Sequence, residues 1–514
     1  MTELEAGDLF ALARRHLIDS YDLPEAVEDF TFPAVQSFNW AHDWFDRYSR
    51  GRSDVALSGP SAGGEWLEVS YAQLSAASDG VAMKLIEEGA ATGDRTVIDM
   101  PASVELYAVI LGVLKTGGVA IPVHHGLHPE ALADRLEVAS PHRILTDAAI
   151  DDRRTLPAAA LVDWNCSNQD LHMASISADA PAFGCFTSGT TGRPKLALHS
   201  NRTHGIAHLS SLYWNRLEAG QRHLNVSSPG WAKFFWSSFL VPLTAGATVV
   251  VRPEDLGPDS FQEFVETHSV ESVCAPVAFL RGCRLTHSPR VRVRDVTSVG
   301  EAVPPTLREL MKSTWGVGLR EGYGQTEATA ILGELATRPG ALSVLPGYKV
   351  DLARHPGEPA ARLTFSALPG GSFLGYLRDD GSISPPQLTD GCQWTGDFAT
   401  GNPANGSLRI LGRGDDVFRS NGHLIAPTEL EILLERHHDV SAAAVTAHRS
   451  ADGDLSPVAF VVLRHKSTPE DVRAWANARL PLEVDLASVT VVDQLPRSIN
   501  GKVQRSLLAR THQT

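Results

Sequence analysis

Cysteine is scarce. Cys166, Cys185, Cys274, Cys283 and Cys392 are the five in 514 residues, and no two form a CxxC pair. Such an odd, scattered set neither staples a secreted fold nor builds a zinc site, so reduced thiols and a cytoplasmic location are expected. Lysine is also rare, eight of 45 basic residues, so each lysine's placement carries information. Positive charge is in deficit overall, with a formal net charge of −15. That argues against nucleic acid or an anionic membrane as partner for the whole surface, though not against a nucleotide held by a few local donors. Long apolar runs are missing too: "YAVILGVL" stops at Lys115, well short of a membrane span. The acidic, amphipathic start "MTELEAGDLFALARRHL" lacks the apolar stretch of a secretory leader. Metal-ligand spacings such as HExxH are absent, and His199 and His204 read as structural rather than catalytic.

What is present is an ordinary globular composition, 43% hydrophobic and 20% charged, in a chain too long for one core. Two to four subdomains are expected. "TVIDM" reads as a strand, Pro101 to Lys115 as a helix with one apolar stripe, "GGVAIPV" as a strand and "HPEALADRLEVA" as a helix. The rhythm recurs through "HLNVSS", "ATVVV", "VESVCAP" and "VTSVG". Strands alternating with helices predict an α/β fold of βαβ units around mostly parallel sheet. From about Ala361 dense Gly and Pro predict a β-rich subdomain, and after Asp415 a compact tail of helices and strands predicts a small α+β domain.

The strongest motif is "FTSGTTGRPK", residues 186–195. A strand ends, glycines free backbone N–H groups to close on an anion, hydroxyls add donors and Lys195 adds charge; this is how a loop cradles phosphates. The spacing is not that of a Walker A loop. "SVGEAV", "EGYGQTE", "WTGDFA", "GRGDD" and "LPRSINGKVQR" follow in order.

With these motifs the chain resembles the adenylate-forming superfamily of acyl-CoA synthetases, carrier-protein adenylation domains and luciferases, over nearly its whole length. It looks most similar to bacterial acetyl- and medium-chain acyl-CoA synthetases, through "FNWAHDWFDRYS", "SSPGWAKFFWSSF" and "EGYGQTEAT". The resemblance implies an N-terminal domain over residues 1–412, a mobile C-terminal domain over residues 413–514, and a hinge at Asp415. It implies a phosphate loop of Thr187, Ser188, Gly189, Thr190, Thr191, Gly192 and Lys195. Gly300, Glu301, Ala302 and Tyr323 would enclose the adenine, Asp397 would accept the ribose hydroxyls, and Arg413 would contact ribose or phosphate. Thr326 would approach the α-phosphate, Glu327 would hold Mg²⁺, and Lys502 would bridge substrate carboxylate and α-phosphate. Gly422 and His423 would belong to the loop that admits coenzyme A. The implied reaction uses ATP to make an acyl-adenylate and then a CoA thioester, with AMP released.

In acetate enzymes of the family a tryptophan closes the acyl pocket where this chain has Gly324, so a larger, largely apolar acid is expected. Trp231 and Phe234 are the candidate lining residues, although ordinary core packing accounts for them equally well. Two departures stand out. Relatives read "SGYRIGP" where this chain reads "NGHLIAP", placing Leu424 at an arginine that would reach the nucleotide phosphates. Leucine offers neither the charge nor the fork. "PGALSVLPGY" is also one residue shorter than the related "PGSMGKPLPGY". Three functions therefore stand: a complete acid–CoA ligase; an enzyme joining CoA to an acyl-adenylate supplied by a separate adenylating enzyme; or a carrier-protein loader or pseudoenzyme. Restoring arginine at 424 is expected to raise adenylation if that position is the lesion.

Overall fold

The computed structural model describes the chain apart from residues 1–3, 22, 170, 172–174, 189–192, 287–288, 359, 368–371, 421–422, 450–454, 466, 481–483, 498–502, 506 and 509–514. Two mixed sheets form the frame of the large domain. In the first, Leu319–Gly324, Asp295–Val299, Ser272–Cys274, Arg222–Asn225, Thr248–Val250 and Val55–Pro60 lie parallel in that spatial order. Antiparallel strands close both edges, Ala330–Leu335 and Arg338–Val344 on one side and Trp66–Ser70 on the other. The second sheet runs Pro181–Ser188, Val119–Pro122, Arg95–Asp99, Arg143–Thr146 and Thr155–Leu156 in parallel. Pro194–Ser200, Gly375–Leu377 and Ile383–Ser384 extend it antiparallel. Helices cover these sheets, as parallel strands buried on both faces require.

The helix expected from Pro101 starts instead at Val104, where the Ser103 hydroxyl accepts the Leu106 N–H. A serine N-cap satisfies a donor that proline cannot help with, so it sets the start. All the residues of Val104–Lys115 are buried, rather than one stripe, because the helix lies inside the domain. The β-rich subdomain begins at Tyr348 rather than near Ala361. Tyr348–Ala353, Ala361–Ala367, Cys392–Thr400 and Leu388–Thr389 pair antiparallel, with Arg409–Arg413 against Cys392–Thr400.

The C-terminal part carries a hairpin, Phe418–Ser420 with His423–Ile425, the helices Pro427–Leu434 and Pro469–Asn477, and a three-stranded sheet. Phe418, Ile425, Leu430, Leu434, Val445, Val461 and Val472 give it a core of its own. A fork of two 2.7 Å hydrogen bonds from Arg281 to Glu435 ties it to the large domain. No helix among the described residues is long and apolar enough to cross a membrane.

Candidate active site

The phosphate-loop motif sits at the tip of a hairpin. Pro181–Ser188 enters and Pro194–Ser200 leaves, with Thr187 opposite Lys195 and Ser188 opposite Pro194. Gly189, Thr190, Thr191 and Gly192 lie outside the described residues, as do Gly422 and Lys502. Three features converge beside the hairpin. The Tyr376 hydroxyl donates to the Glu327 carboxylate. The Thr187 side chain lies close to the same phenol. The Lys195 ammonium lies 5.5 Å from the centre of the Tyr376 ring. Tyr376 was not singled out from sequence. Its strand pairs with the strand leaving the loop, Tyr376 opposite Ala197, and "LGY" within a Gly-rich stretch carries no local sign of that placement.

Thr326 and Glu327 are held from behind. His199 Nε2 donates to the Thr326 carbonyl at 2.7 Å, and the Phe373 N–H donates to the Glu327 carbonyl at 3.0 Å. Burial pushes the His199 pKa down to about 4, so the ring is neutral and its Nε2 carries the proton this bond needs. His199 and His204 are both fully buried, in keeping with a structural role.

The adenine and ribose candidates form a second cluster. The hydroxyl of Tyr323 donates to Asp397, and Gln325 Nε2 donates to Asp397 Oδ2 at 3.0 Å and to the Thr395 carbonyl at 2.6 Å. Arg413 is opposite Asp397 across the paired strands, with Nε 3.8 Å from Oδ1. A buried carboxylate held by two donors and faced by a guanidinium suits two neighbouring hydroxyls. Gln325 was missed from sequence because a glutamine within "GYGQTE" announces no partner far along the chain. Gly300 turns the chain at φ 110° after Asp295–Val299, and Glu301 pairs with Arg497 at 3.7 Å. Beside Ala302, the Val303 N–H donates to Glu321 at 2.8 Å; burial raises the Glu321 pKa to about 7.

Gly324 acquires a backbone reason. A Cβ there would stand 2.4 Å from the Thr329 carbonyl oxygen, at a register shift between the paired strands. The glycine therefore cannot be read simply as an open pocket floor. Phe234 is buried with its ring 5.7 Å from that of Tyr107, and Trp231 is half-buried one turn earlier. Asp415 is exposed between Arg409–Arg413 and Phe418–Ser420. His423 is exposed. Leu424 is half-buried against a cluster made by Ala360, Phe398 and Leu411 before Asp415 and Val417 and Ala426 after it. Arg419 stands directly opposite Leu424 across the hairpin.

Glu327 is an oxygen donor beside a phosphate-type loop, and its carboxylate is already oriented by a phenol. That donor chemistry fits a hard divalent cation such as Mg²⁺.

Known proteins are similar to this chain in sequence and in fold. Residues 45–359 match the AMP-binding enzyme family and residues 429–502 match the AMP-binding enzyme C-terminal domain. The 4-hydroxybutyrate–CoA ligase 1 of Metallosphaera sedula is 29% identical over 92% of this chain and 90% of its own length. The mitochondrial acyl-coenzyme A synthetase ACSM4 of Rattus norvegicus is 27% identical over 94% and 92%. Among solved structures, ATP-bound MatB from Rhodopseudomonas palustris superposes with a TM-score of 0.80 at 22% identity, covering 93% of this chain and 99% of that one. The anthranilate CoA ligase AuaEII with anthranoyl-AMP gives 0.79 at 18% identity, covering 93% and 98%. The chain belongs to the AMP-binding enzymes, within the adenylate-forming superfamily that includes the acyl-CoA ligases.

Proposed function

We propose that this protein is a complete acid–CoA ligase, acting on a carboxylic acid larger than acetate with a mainly apolar chain. The observation that carries the reading is the meeting of two clusters: Tyr323, Gln325, Asp397 and Arg413 for the nucleoside, and Thr187, Lys195, Glu327 and Tyr376 for the phosphates. In the first half-reaction a carboxylate oxygen of the acid attacks the α-phosphorus of ATP, and the bond to the β-phosphate oxygen breaks to release pyrophosphate. Lys502 stabilises the charge developing at that centre, and Glu327 would hold Mg²⁺, which supplies electrostatic stabilisation of the phosphates. In the second, the thiolate of CoA attacks the acyl carbon and AMP leaves. Rotation about Asp415 would exchange Lys502 for the loop of Gly422 and His423 between the two steps.

ATP with a panel of acids and no CoA should release pyrophosphate, and synthetic acyl-adenylate with CoA should give thioester. Pyrophosphate release absent alongside thioester formation would instead establish the reading in which the adenylate is supplied from elsewhere. Leu424 is the departure that bears most directly on that second reading, and its surroundings weaken the case. Directly opposed residues of an antiparallel pair share a face, so Arg419 keeps a guanidinium on the face from which arginine is missing at 424. Leu424→Arg is therefore expected to change pyrophosphate release by less than about threefold. It should also destabilise the protein by roughly 1–2 kcal/mol, because the side chain leaves its apolar contacts. A gain of tens of fold, the size of a restored phosphate contact, would return the lesion to position 424.

Tyr376→Phe removes the donor that orients Glu327. The Mg²⁺ concentration for half-maximal pyrophosphate release should rise about tenfold or more, with thioester formation from acyl-adenylate nearly unchanged. An unaltered Mg²⁺ titration would remove Tyr376 from the site.

A further inference from the structure

The strand Arg222–Asn225 lies inside the parallel part of the first sheet and directs His223 and Asn225 toward the helical turn Phe234–Leu240. His223 Nε2 donates to the Ser237 carbonyl at 3.1 Å and its Nδ1 accepts from Ser272 at 3.0 Å. Asn225 Nδ2 donates to the Ser238 hydroxyl at 2.7 Å. Beyond these bonds the segment ends in buried polar atoms with no hydrogen-bond partner among the described residues: Asn225 Oδ1, Ser227 Oγ, Ser237 Oγ and the ammonium of Lys233. Lys233 acts on the His223 ring, where it adds to the effect of burial in holding that pKa down to about 4. His223 is thus neutral and offers no negative charge in return.

Each buried unpaired donor or acceptor carries a desolvation penalty, and an ammonium carries the largest of them. Four such atoms fall within residues 225–237, and an occupant bringing oxygen would satisfy Lys233, Ser227 and Ser237, with Asn225 Oδ1 satisfied where that oxygen carries a proton. Their place agrees: the carboxyl end of a parallel strand is where open α/β sheets bind ligands. The same segment carries Trp231 and Phe234, so an acid whose chain lay along those rings would bring its far end into this polar region.

We propose that Lys233 is a specificity-determining residue of the acyl site, and that the acid this enzyme activates carries a second oxygen function, hydroxyl or carboxylate, at the end remote from the reacting carboxyl group. Asn225 and Ser227 share in receiving it. A hydroxyl would accept from Lys233 and donate to Asn225 Oδ1, whereas a carboxylate would accept from Lys233 and Ser227. The inference rests on the acid–CoA ligase reading and narrows its substrate.

The test compares straight-chain acids of four to eight carbons in three forms, the plain alkanoate, the ω-hydroxy acid and the dicarboxylic acid, with wild type and Lys233→Met. At the best chain length, wild type should favour one oxygenated form over the alkanoate by roughly 30- to 1000-fold in kcat/KM. Lys233→Met should erase that preference while still accepting the alkanoate, and the preferred form tells hydroxyl from carboxylate. Equal use of alkanoate and oxygenated acids by wild type, or a preference that survives in Lys233→Met, overturns the proposal. Melting of the acid-free proteins separates this from failure of the ligase reading. Removing an unpaired ammonium should raise the melting temperature by roughly 1–3 °C, whether or not any acid is turned over. A lower melting temperature means that Lys233 is a structural residue with a partner, which also overturns the proposal. Absence of turnover with every acid sinks the ligase reading alone.

Discussion

Lys502→Ala should lower pyrophosphate release by roughly 100- to 1000-fold while changing thioester formation from synthetic acyl-adenylate by less than about threefold. The asymmetry follows from where charge develops. In the proposed first step a carboxylate and a triphosphate would meet, and an ammonium held near both would lower the barrier to their approach. In the second step the CoA thiolate attacks an adenylate that has already lost pyrophosphate, and the leaving group is AMP. Lys502 itself is outside the described residues, but its flanks are informative. Arg497 pairs with Val503 in an isolated antiparallel bridge, and Arg497 also reaches Glu301 of the adenine motif at 3.7 Å. Arg497 is thereby tied to Glu301, which the proposed reading places beside the adenine. Arg497→Ala should share part of the first-step loss, since it removes that tie. Equal losses in both half-reactions for Lys502→Ala would contradict the proposed domain rotation about Asp415.

The largest expected loss of stability lies far from the chemistry. Lys115 is completely buried, with Nζ 2.7 Å from Asp46 Oδ1, 2.6 Å from Asp79 Oδ1 and 3.0 Å from the Ser75 carbonyl. Burial raises the Asp46 pKa, and the Lys115 charge opposes that rise. Lys115→Met would leave two buried acids facing each other, with the part-exposed guanidinium of Arg50 still 3.4 Å from Asp79 Oδ2 and 4.0 Å from Asp46 Oδ2, at a cost of about 3–5 kcal/mol in chemical denaturation. Replacing all three with apolar residues of similar volume should recover most of the loss. A loss below about 1 kcal/mol for the single variant would mean that water enters the cluster. The three charged groups pin Trp40–Asp46, Tyr71–Glu87 and Val104–Lys115 to one another.

Lys115 also shows how far local pattern reaches. In the chain it reads as the polar end of an apolar run, the usual place for a solvated lysine. Nothing within several residues reveals Asp46 or Asp79, which belong to other helical segments. Leu424 behaves in the same way. Its departure from the related motif is visible at once, yet its contacts with Phe398 and Leu411 come from strands of another sheet. Gly324 was attributed to pocket size, whereas the approach of the Thr329 carbonyl already requires a residue without a side chain. The start at Val104 in place of Pro101 is a smaller case, decided by a single serine cap.

The sequence by itself determined the family, the α/β class with its small C-terminal α+β domain, and the order of the motifs through which the chain resembles that family. Each is written in contiguous residues, because a loop that closes on phosphate or turns at a positive φ needs its glycines and hydroxyls at fixed local spacing. The tertiary structure alone decided which side chains are paired. Tyr376 on Glu327, Gln325 on Asp397, Lys115 between two acids, and Lys233 with no partner among the described residues all depend on strands and helices brought together from distant positions. Burial strengthens each such pairing and penalises each missing one, and burial is a property of the packed chain that no short stretch of sequence contains.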